Sequence, residues 1–164
     1  MDLITQYQAL ARYNTWMNAR LYGICARIPN SARKRNRQAF FRSIHGNLNH
    51  LLLTDRVQLG RFITDKSVIE SVDAEGKPIT IQRLDQELYG DFDLLRHERV
   101  RTDRVIEDWS RTMTLDRLKS HLSYQAMADG RHYTHPVWWA ATHFFNHQTH
   151  RRGQLTTLLN QLGL

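Results

Sequence analysis

Three histidines lie close together near the end of the sequence, at positions His143, His147 and His150. Histidine is the commonest side-chain ligand for metals such as Zn²⁺ and Ni²⁺. Residues four apart lie on one face of a helix, and His143 and His147 have this spacing. Such a pair can bind one metal ion when a neighbouring helix supplies a third ligand. The alternative is that each histidine is hydrogen-bonded in the core or at the rim, without any metal.

A strip of small polar residues lies on one side of an earlier helical stretch, around a further histidine, His50. A helix side that faces water normally carries Lys, Glu and Arg, and this strip carries none of them. The strip therefore predicts the wall of a pocket. The alternative is an exposed surface that happens to lack charge. The members of the strip, which recur at helical spacing, are Ser43, Gly46, Asn47, His50 and Thr54.

Three segments of the chain resemble the DinB/YfiT-like family, in the same order along the sequence. They are YNTWMNARLY at residues 13–22, SIHGNLNHLLLTDR at residues 43–56 and HFFNHQTHRRGQ at residues 143–154. The resemblance implies one domain, residues 1–164, folded as an all-α four-helix bundle with a small β-hairpin before the last helix. It also implies a divalent metal ion, Zn²⁺ or Ni²⁺, held by one histidine of the second helix and two histidines of the last.

At the positions that the resemblance gives to the metal ligands, this chain has His50, His147 and Arg151. A guanidinium stays protonated and offers no lone pair to a metal ion. Three interpretations remain open. In the first, His143 or His150, or a water or carboxylate, replaces the missing ligand. In the second, Arg151 puts its charge where the ion would be and creates an anion-binding pocket. In the third, the bundle has no chemistry and Arg151 extends to the rim.

The resemblance implies a bacterial enzyme of stress response or detoxification, a metal-dependent thiol transferase or hydrolase that acts on a small-molecule substrate. A metal ion promotes such chemistry by stabilising the thiolate of a low-molecular-weight thiol such as bacillithiol, mycothiol or glutathione. Asn47, Thr54 and Arg151 are then predicted to contact the cofactor or substrate. The resemblance also implies a homodimer. The alternative function is a non-catalytic bundle that binds an anionic small molecule.

Composition and charge narrow the classes of function. The single cysteine, Cys25, cannot form an internal disulfide, and its place on an apolar helix stripe predicts a core residue. No stretch approaches the roughly 18 apolar residues of a membrane span, and the first residues do not resemble a signal peptide, so we expect a cytoplasmic protein without membrane contact. The net charge of +7 includes a basic run at residues 27–42. This run predicts a solvated loop between helices, and nucleic-acid binding is the less favoured alternative.

Apolar residues at helical spacing predict the four helices that position these side chains. The helices are expected from about Asp2 to just before Pro29, from about residue 37 to 63, from 84 or 91 to 113, and from 136 to 163. The remaining elements are a long loop at residues 64–83, a short helical turn from Thr114, and a hairpin around Asp129-Gly130. Asn14 lies within the apolar stripe of the first helix and must find hydrogen-bond partners inside, whereas His45 is expected at the surface.

Overall fold

The computed structural model describes residues 2–164, which are mostly helical. The α-helices are α1 (Leu3–Ala26), α2 (Asn30–Lys34), α3 (Ile44–Phe62), α4 (Phe92–Arg111), α5 (Leu115–Lys119) and α6 (Val137–Asn160). Two strands, β1 (His121–Gln125) and β2 (His132–Pro136), pair as an antiparallel hairpin, and one turn of 3-10 helix covers Ser67–Ile69. The prediction of an all-α bundle with a small hairpin before the last helix is confirmed.

The starts of the long helices follow from capping residues in the sequence. Asp2, Ser43 and Asp91 precede α1, α3 and α4. Each of these side chains accepts a hydrogen bond from the backbone N–H three residues later, at 2.8, 2.9 and 2.8 Å respectively. The bond satisfies one of the backbone donors that the first turn of a helix leaves without an internal partner. Pro136 precedes α6, where its fixed φ and missing N–H are tolerated.

Two predicted helix boundaries were wrong. α3 begins at Ile44 and not near residue 37, because residues 35–43 form a tight loop in which Gln38 and Arg42 have left-handed φ angles of 57° and 62°. Residues in that conformation cannot continue a right-handed helix. α6 ends at Asn160 and not at Gly163, which lies in the following turn with a φ angle of 75°.

The four long helices pack in a ring: α1 against α4, α4 against α3, α3 against α6, and α6 against α1. The short α2 and the strand β1 also contact α3, so α3 is buried around most of its circumference. His45, which was expected at the surface, is fully buried, and its Nε2 lies 2.8 Å from the Tyr89 carbonyl. That expectation was wrong because the segment before α4 covers this side of α3. None of the helices between residues 2 and 164 has the length and apolar character needed to cross a membrane.

Two apolar clusters fill the two ends of the bundle. One cluster joins the second half of α1 to the start of α3 and includes Cys25, which is buried as predicted. The other joins the start of α1 to the start of α6. Buried polar side chains at the middle of the four long helices lie between the clusters and are called the polar layer below. They are Asn14, Asn18, Asp55, Arg56, Glu98, Arg99, Asp103, Gln148 and Arg152.

Ion pairs and hydrogen bonds connect the polar layer. The Arg99 guanidinium lies between two carboxylates, 2.6 Å from Asp55 and 2.9 Å from Asp103. Asn14 donates to Asp103 at 3.0 Å and accepts a hydrogen bond from Arg152, so the prediction that Asn14 is hydrogen-bonded inside the bundle is confirmed. Burying a charge is costly unless it is paired and hydrogen-bonded. In this layer Arg56 and Arg99 have carboxylate partners, whereas Arg152 is hydrogen-bonded to the neutral side chains of Asn14 and Thr149.

Candidate functional site

Two rows of polar side chains face each other across a pocket of about 210 Å³. The row on α3 is His50, Thr54 and Arg61, and the row on α6 is His143, His147 and Arg151. Each row follows from helix geometry, because neighbours in a row are four or seven positions apart and therefore lie within about 40° of one another around the helix. The rings of His50 and His147 lie 5.7 Å apart between centroids. Leu84 and the hairpin residues between 124 and 128 line the remaining side of the pocket.

His50 is buried and held in one tautomer. Its Nδ1 donates to the Leu84 carbonyl at 2.7 Å, and its ring stacks on Phe41 with 3.6 Å between centroids. Because Nδ1 carries the proton, Nε2 has a lone pair, and this buried atom has no partner among residues 2–164. Burial lowers the pKa of His50 to about 4, with a smaller contribution from the Arg151 charge, so the ring is neutral near pH 7.

His147 is hydrogen-bonded to the arginine that follows it by one helical turn. Arg151 Nε donates to His147 Nε2 at 3.1 Å, and Arg151 Nη1 donates to the Gln154 side chain at 3.0 Å. The guanidinium also lies over the Phe41 ring, 4.9 Å from its centroid. Burial, followed by the charge of Arg151, lowers the pKa of His147 to about 3. His147 is therefore a neutral acceptor for the arginine.

The side chains at this position do not fit a metal ion held by three histidines. His50 and His147 supply two ring nitrogens, but the third position holds a guanidinium, which has no lone pair. The lone pair of His147 Nε2 already accepts the Arg151 hydrogen bond. Within the described part of the chain, residues 2–164, no group of three His, Cys, Asp or Glu side chains is arranged to hold a metal ion.

Two further predicted site residues lie beside His50 and His147. Thr54 lines the pocket, and its hydroxyl donates to the His50 carbonyl at 2.8 Å. His143 lines the outer edge, where its side chain is exposed and its ring centroid is 6.2 Å from that of His147. The structure thus brings together His50, Thr54, His143, His147 and Arg151.

Two other predicted site residues lie elsewhere. Asn47 is buried, donates to the Ser43 carbonyl at 2.8 Å and does not line the pocket. His150 is exposed and is also absent from the lining. The reason is the position of each residue on its helix: Asn47 and His150 are each three residues from a pocket histidine, and the rotation of roughly 300° that this spacing gives turns each away from the line of its row.

The pocket is lined by positive charge and by no carboxylate. Arg61 and Arg151 are both half-buried, and neither Asp nor Glu is among the lining residues. The Arg61 guanidinium lies over the Tyr124 ring, 3.7 Å from its centroid, and forms no ion pair within residues 2–164. Arg61 was not predicted from the sequence, although it continues the helical spacing of His50 and Thr54. Tyr124 was not predicted either, because nothing in the sequence shows which helix the hairpin covers.

Comparison with known proteins identifies one family. The model of the DinB family matches residues 3–164. Neither a search of curated proteins nor a search of solved structures gives a match. The matched range includes both rows of the pocket, so the family match and the candidate site concern the same part of the chain.

Proposed function

We propose that this chain, which belongs to the DinB family, binds a small molecule that carries a carboxylate or phosphate group in the pocket between α3 and α6. The observation that carries the proposal is the Arg151 guanidinium, hydrogen-bonded to His147 at the position that the resemblance gives to a metal ligand. Arginine keeps its positive charge at any physiological pH. Its planar N–H groups also match the paired oxygens of carboxylates and phosphates.

The absence of a counter-charge in the pocket lining supports this proposal. A half-buried guanidinium is partly removed from water, and a nearby carboxylate normally compensates for that loss. The lining residues include Arg61 and Arg151 but no Asp or Glu. An anionic ligand would supply the missing negative charge, and two guanidiniums would attract it.

The two neutral histidines add hydrogen-bonding groups to the pocket without adding charge. His147 Nδ1 is buried and has no partner within residues 2–164, and the same holds for His50 Nε2. An unpartnered buried polar atom costs about 1–3 kcal/mol. The proton on His147 Nδ1 suits a ligand oxygen, whereas the lone pair of His50 Nε2 suits a ligand hydroxyl. The arrangement therefore favours a ligand that has an anionic group and a hydrogen-bond donor.

An NMR titration tests the proposal directly. Inorganic phosphate and acetate are added separately to the ¹⁵N-labelled protein at pH 7, and the side-chain signals of arginine are followed. We expect saturable shifts of the Arg151 and Arg61 Nε–H signals. Arg151→Gln should weaken binding at least about tenfold, because hydrogen bonds to charged groups contribute about 1.5–3 kcal/mol.

The matched control is Arg12→Gln, which removes the same charge from an exposed position of α1, away from the pocket. It should leave the affinity for both anions unchanged at moderate salt, where charges on different faces are screened. If neither anion shifts the Arg151 signal, or if Arg12→Gln weakens binding as much as Arg151→Gln, the pocket is not an anion site.

A second candidate function is the metal-dependent enzyme, including a thiol transferase, that the resemblance implies. One observation favours it. His50 has the hydrogen-bonding pattern of a metal-ligating histidine, with Nδ1 donating to the Leu84 carbonyl and Nε2 left with its lone pair. A metal bound there would need a further ligand from outside the His50 and His147 pair.

Metal analysis of protein purified without a histidine tag tests this second candidate. It predicts about one Zn²⁺ or Ni²⁺ per chain and a higher melting temperature when that ion is added. His50→Ala should remove both effects. Protein that contains no stoichiometric metal and gains no thermal stability would contradict this candidate, while leaving the anion proposal intact.

A further inference from the structure

A second cavity, of about 440 Å³, adjoins the pocket on the side of the tight loop before α3. The two cavities share His50, Leu84, Met127, Ala128 and Arg151 in their linings. A molecule bound to Arg151 can therefore extend from one cavity into the other. We call the first cavity the inner pocket and the second the outer groove.

The outer groove offers apolar surface at its rim. Phe40 is 85% exposed and Met127 is 40% exposed, and both line the groove together with Phe41 and Leu84. Single exposed apolar side chains are common at protein surfaces, but two that line one groove form the contiguous apolar surface that is typical of ligand-binding grooves. Two charged residues of the rim are paired with each other, since Arg83 forms an ion pair with Asp85 at 2.9 Å.

The loop before α3 fixes the positions of its two phenylalanines. Arg37 N donates to the Arg42 carbonyl and Arg42 N donates to the Ala39 carbonyl, each at 2.7 Å. Phe41 points inward and stacks on His50, whereas Phe40 meets Phe41 edge to face, with 4.8 Å between ring centroids. Phe40 is thus held at the rim of the groove, next to the ring on which Arg151 lies.

We infer that the ligand is an amphipathic organic anion. Its carboxylate or phosphate head lies at Arg151 in the inner pocket, and its apolar arm lies in the outer groove between Phe40 and Met127. The inference rests on the proposed function, because the charged head determines which cavity the ligand enters. Beyond the proposed function, the inference states that an apolar arm of the ligand contributes to affinity. A site for small inorganic anions would show no such contribution.

The test is a series of straight-chain carboxylates, from acetate through butanoate and hexanoate to octanoate, titrated into the full chain and followed by NMR at pH 7. Burial of each added CH₂ should lower the dissociation constant by about fourfold until the groove is filled. Octanol, which has the same arm without the charge, should bind much more weakly than octanoate.

Two substitutions in the outer groove test whether the apolar arm of the ligand lies there. Phe40→Ala should weaken octanoate binding more than acetate binding and so flatten the dependence on chain length, and Met127→Ala should do so to a smaller extent. The control is Trp16→Ala, which removes another exposed aromatic side chain, 52% exposed and outside both cavities. It should leave the whole series unchanged.

The outcomes separate this inference from the proposed function. Acetate and octanoate that bind equally well would overturn the amphipathic ligand but keep the anion site. A chain-length effect that survives in both Phe40→Ala and Met127→Ala would also overturn it, because the arm would then lie elsewhere. If no member of the series binds and phosphate does not bind either, the proposed function fails together with the inference.

Discussion

The polar layer and the inner pocket both place arginines below the protein surface, but they give these arginines different partners. In the layer, Arg56 pairs with Glu98, and Arg99 lies between Asp55 and Asp103. In the pocket, by contrast, the arginines contact neutral histidine, glutamine and aromatic rings, and within residues 2–164 neither forms an ion pair with a carboxylate.

This difference shows how one residue type takes on two roles in a single bundle. An arginine with its own carboxylates is part of the structure, because its charge is compensated before any ligand arrives. An arginine that lines a pocket and has no carboxylate partner has an uncompensated charge and free N–H donors, which are available to an external anion. Burial alone does not distinguish the two; the partners do.

The largest expected effect comes from breaking the polar layer. Arg99→Met should lower the free energy of unfolding by about 3–5 kcal/mol, because it leaves Asp55 and Asp103 buried without a counter-charge. The matched substitution in the pocket, Arg61→Met, should cost no more than about 1 kcal/mol, since only its contact with the Tyr124 ring is lost. Urea unfolding of the two variants measures both values. Equal losses of unfolding free energy in the two variants would show that the arginines of the layer and of the pocket contribute equally to stability.

The next largest expected effect is on the pH dependence of the free energy of unfolding, through the buried His50. The pKa of an unfolded histidine is about 6.5, whereas burial holds that of His50 at about 4. Between these values the unfolded chain binds more protons than the folded one, so stability falls as pH falls from 6.5 to 4. His50→Asn should reduce this loss by on the order of 3 kcal/mol at pH 4.

Unfolding free energies measured at pH 7 and pH 4 check this expectation, with His132→Asn as the control, because His132 is an exposed residue of β2. The control should lose stability on acidification as the unmodified chain does. An identical pH dependence in His50→Asn and the unmodified chain would mean that His50 is protonated in the folded protein.

A third experiment converts the pocket into the site that the resemblance implies. Arg151→His places a third histidine one turn after His147, facing His50. At a Zn²⁺ concentration about 100 times the dissociation constant, binding should add about 2.7 kcal/mol of stability. For a chain of this size that corresponds to a rise of about 5–10 °C in melting temperature.

His50→Ala in the Arg151→His background is the control and should abolish the rise. A melting temperature of Arg151→His that does not respond to Zn²⁺ would show that the scaffold itself, and not the arginine alone, prevents metal binding. A rise that persists without His50 would instead place the ion on α6.

The smallest effect distinguishes the two arginines of the pocket. Arg61→Gln should weaken phosphate binding by about twofold to fivefold, which is less than the loss expected for Arg151→Gln. Arg61 lies on α3, two turns after Thr54, and contributes to binding mainly through its charge. NMR titrations of the two variants at the same salt concentration compare them. A larger loss for Arg61→Gln would move the centre of the anion site toward Tyr124.

The sequence predicted the presence of the helices better than the residues at which they begin and end. Capping residues such as Asp2, Ser43 and Asp91 could have marked helix starts, but the apolar pattern suggested an earlier start for α3 near residue 37. The basic run at residues 27–42 predicted a loop in this region, but the left-handed residues Gln38 and Arg42 are not glycines, so no local signal marked where the loop ends.

The candidate site was predicted in part. Helical spacing placed the residues of α6 on one row, and the resemblance paired that row with His50. The polar layer went unrecognised, because a charged residue such as Arg99 or Arg152 on a helix normally faces water. Only the opposite charges and amides that neighbouring helices bring to the centre of the bundle make their burial tolerable.

By itself, the sequence determined the helices and the rows of polar residues along them, since these depend on residue types and on spacing within one element. The tertiary structure alone decided which arginines have carboxylate partners, that the hairpin closes the pocket over Arg61, and that Phe40 stands at the rim of a groove. The physical reason is that compensation of charge and exclusion of water depend on side chains from different elements, which come together only when the chain packs.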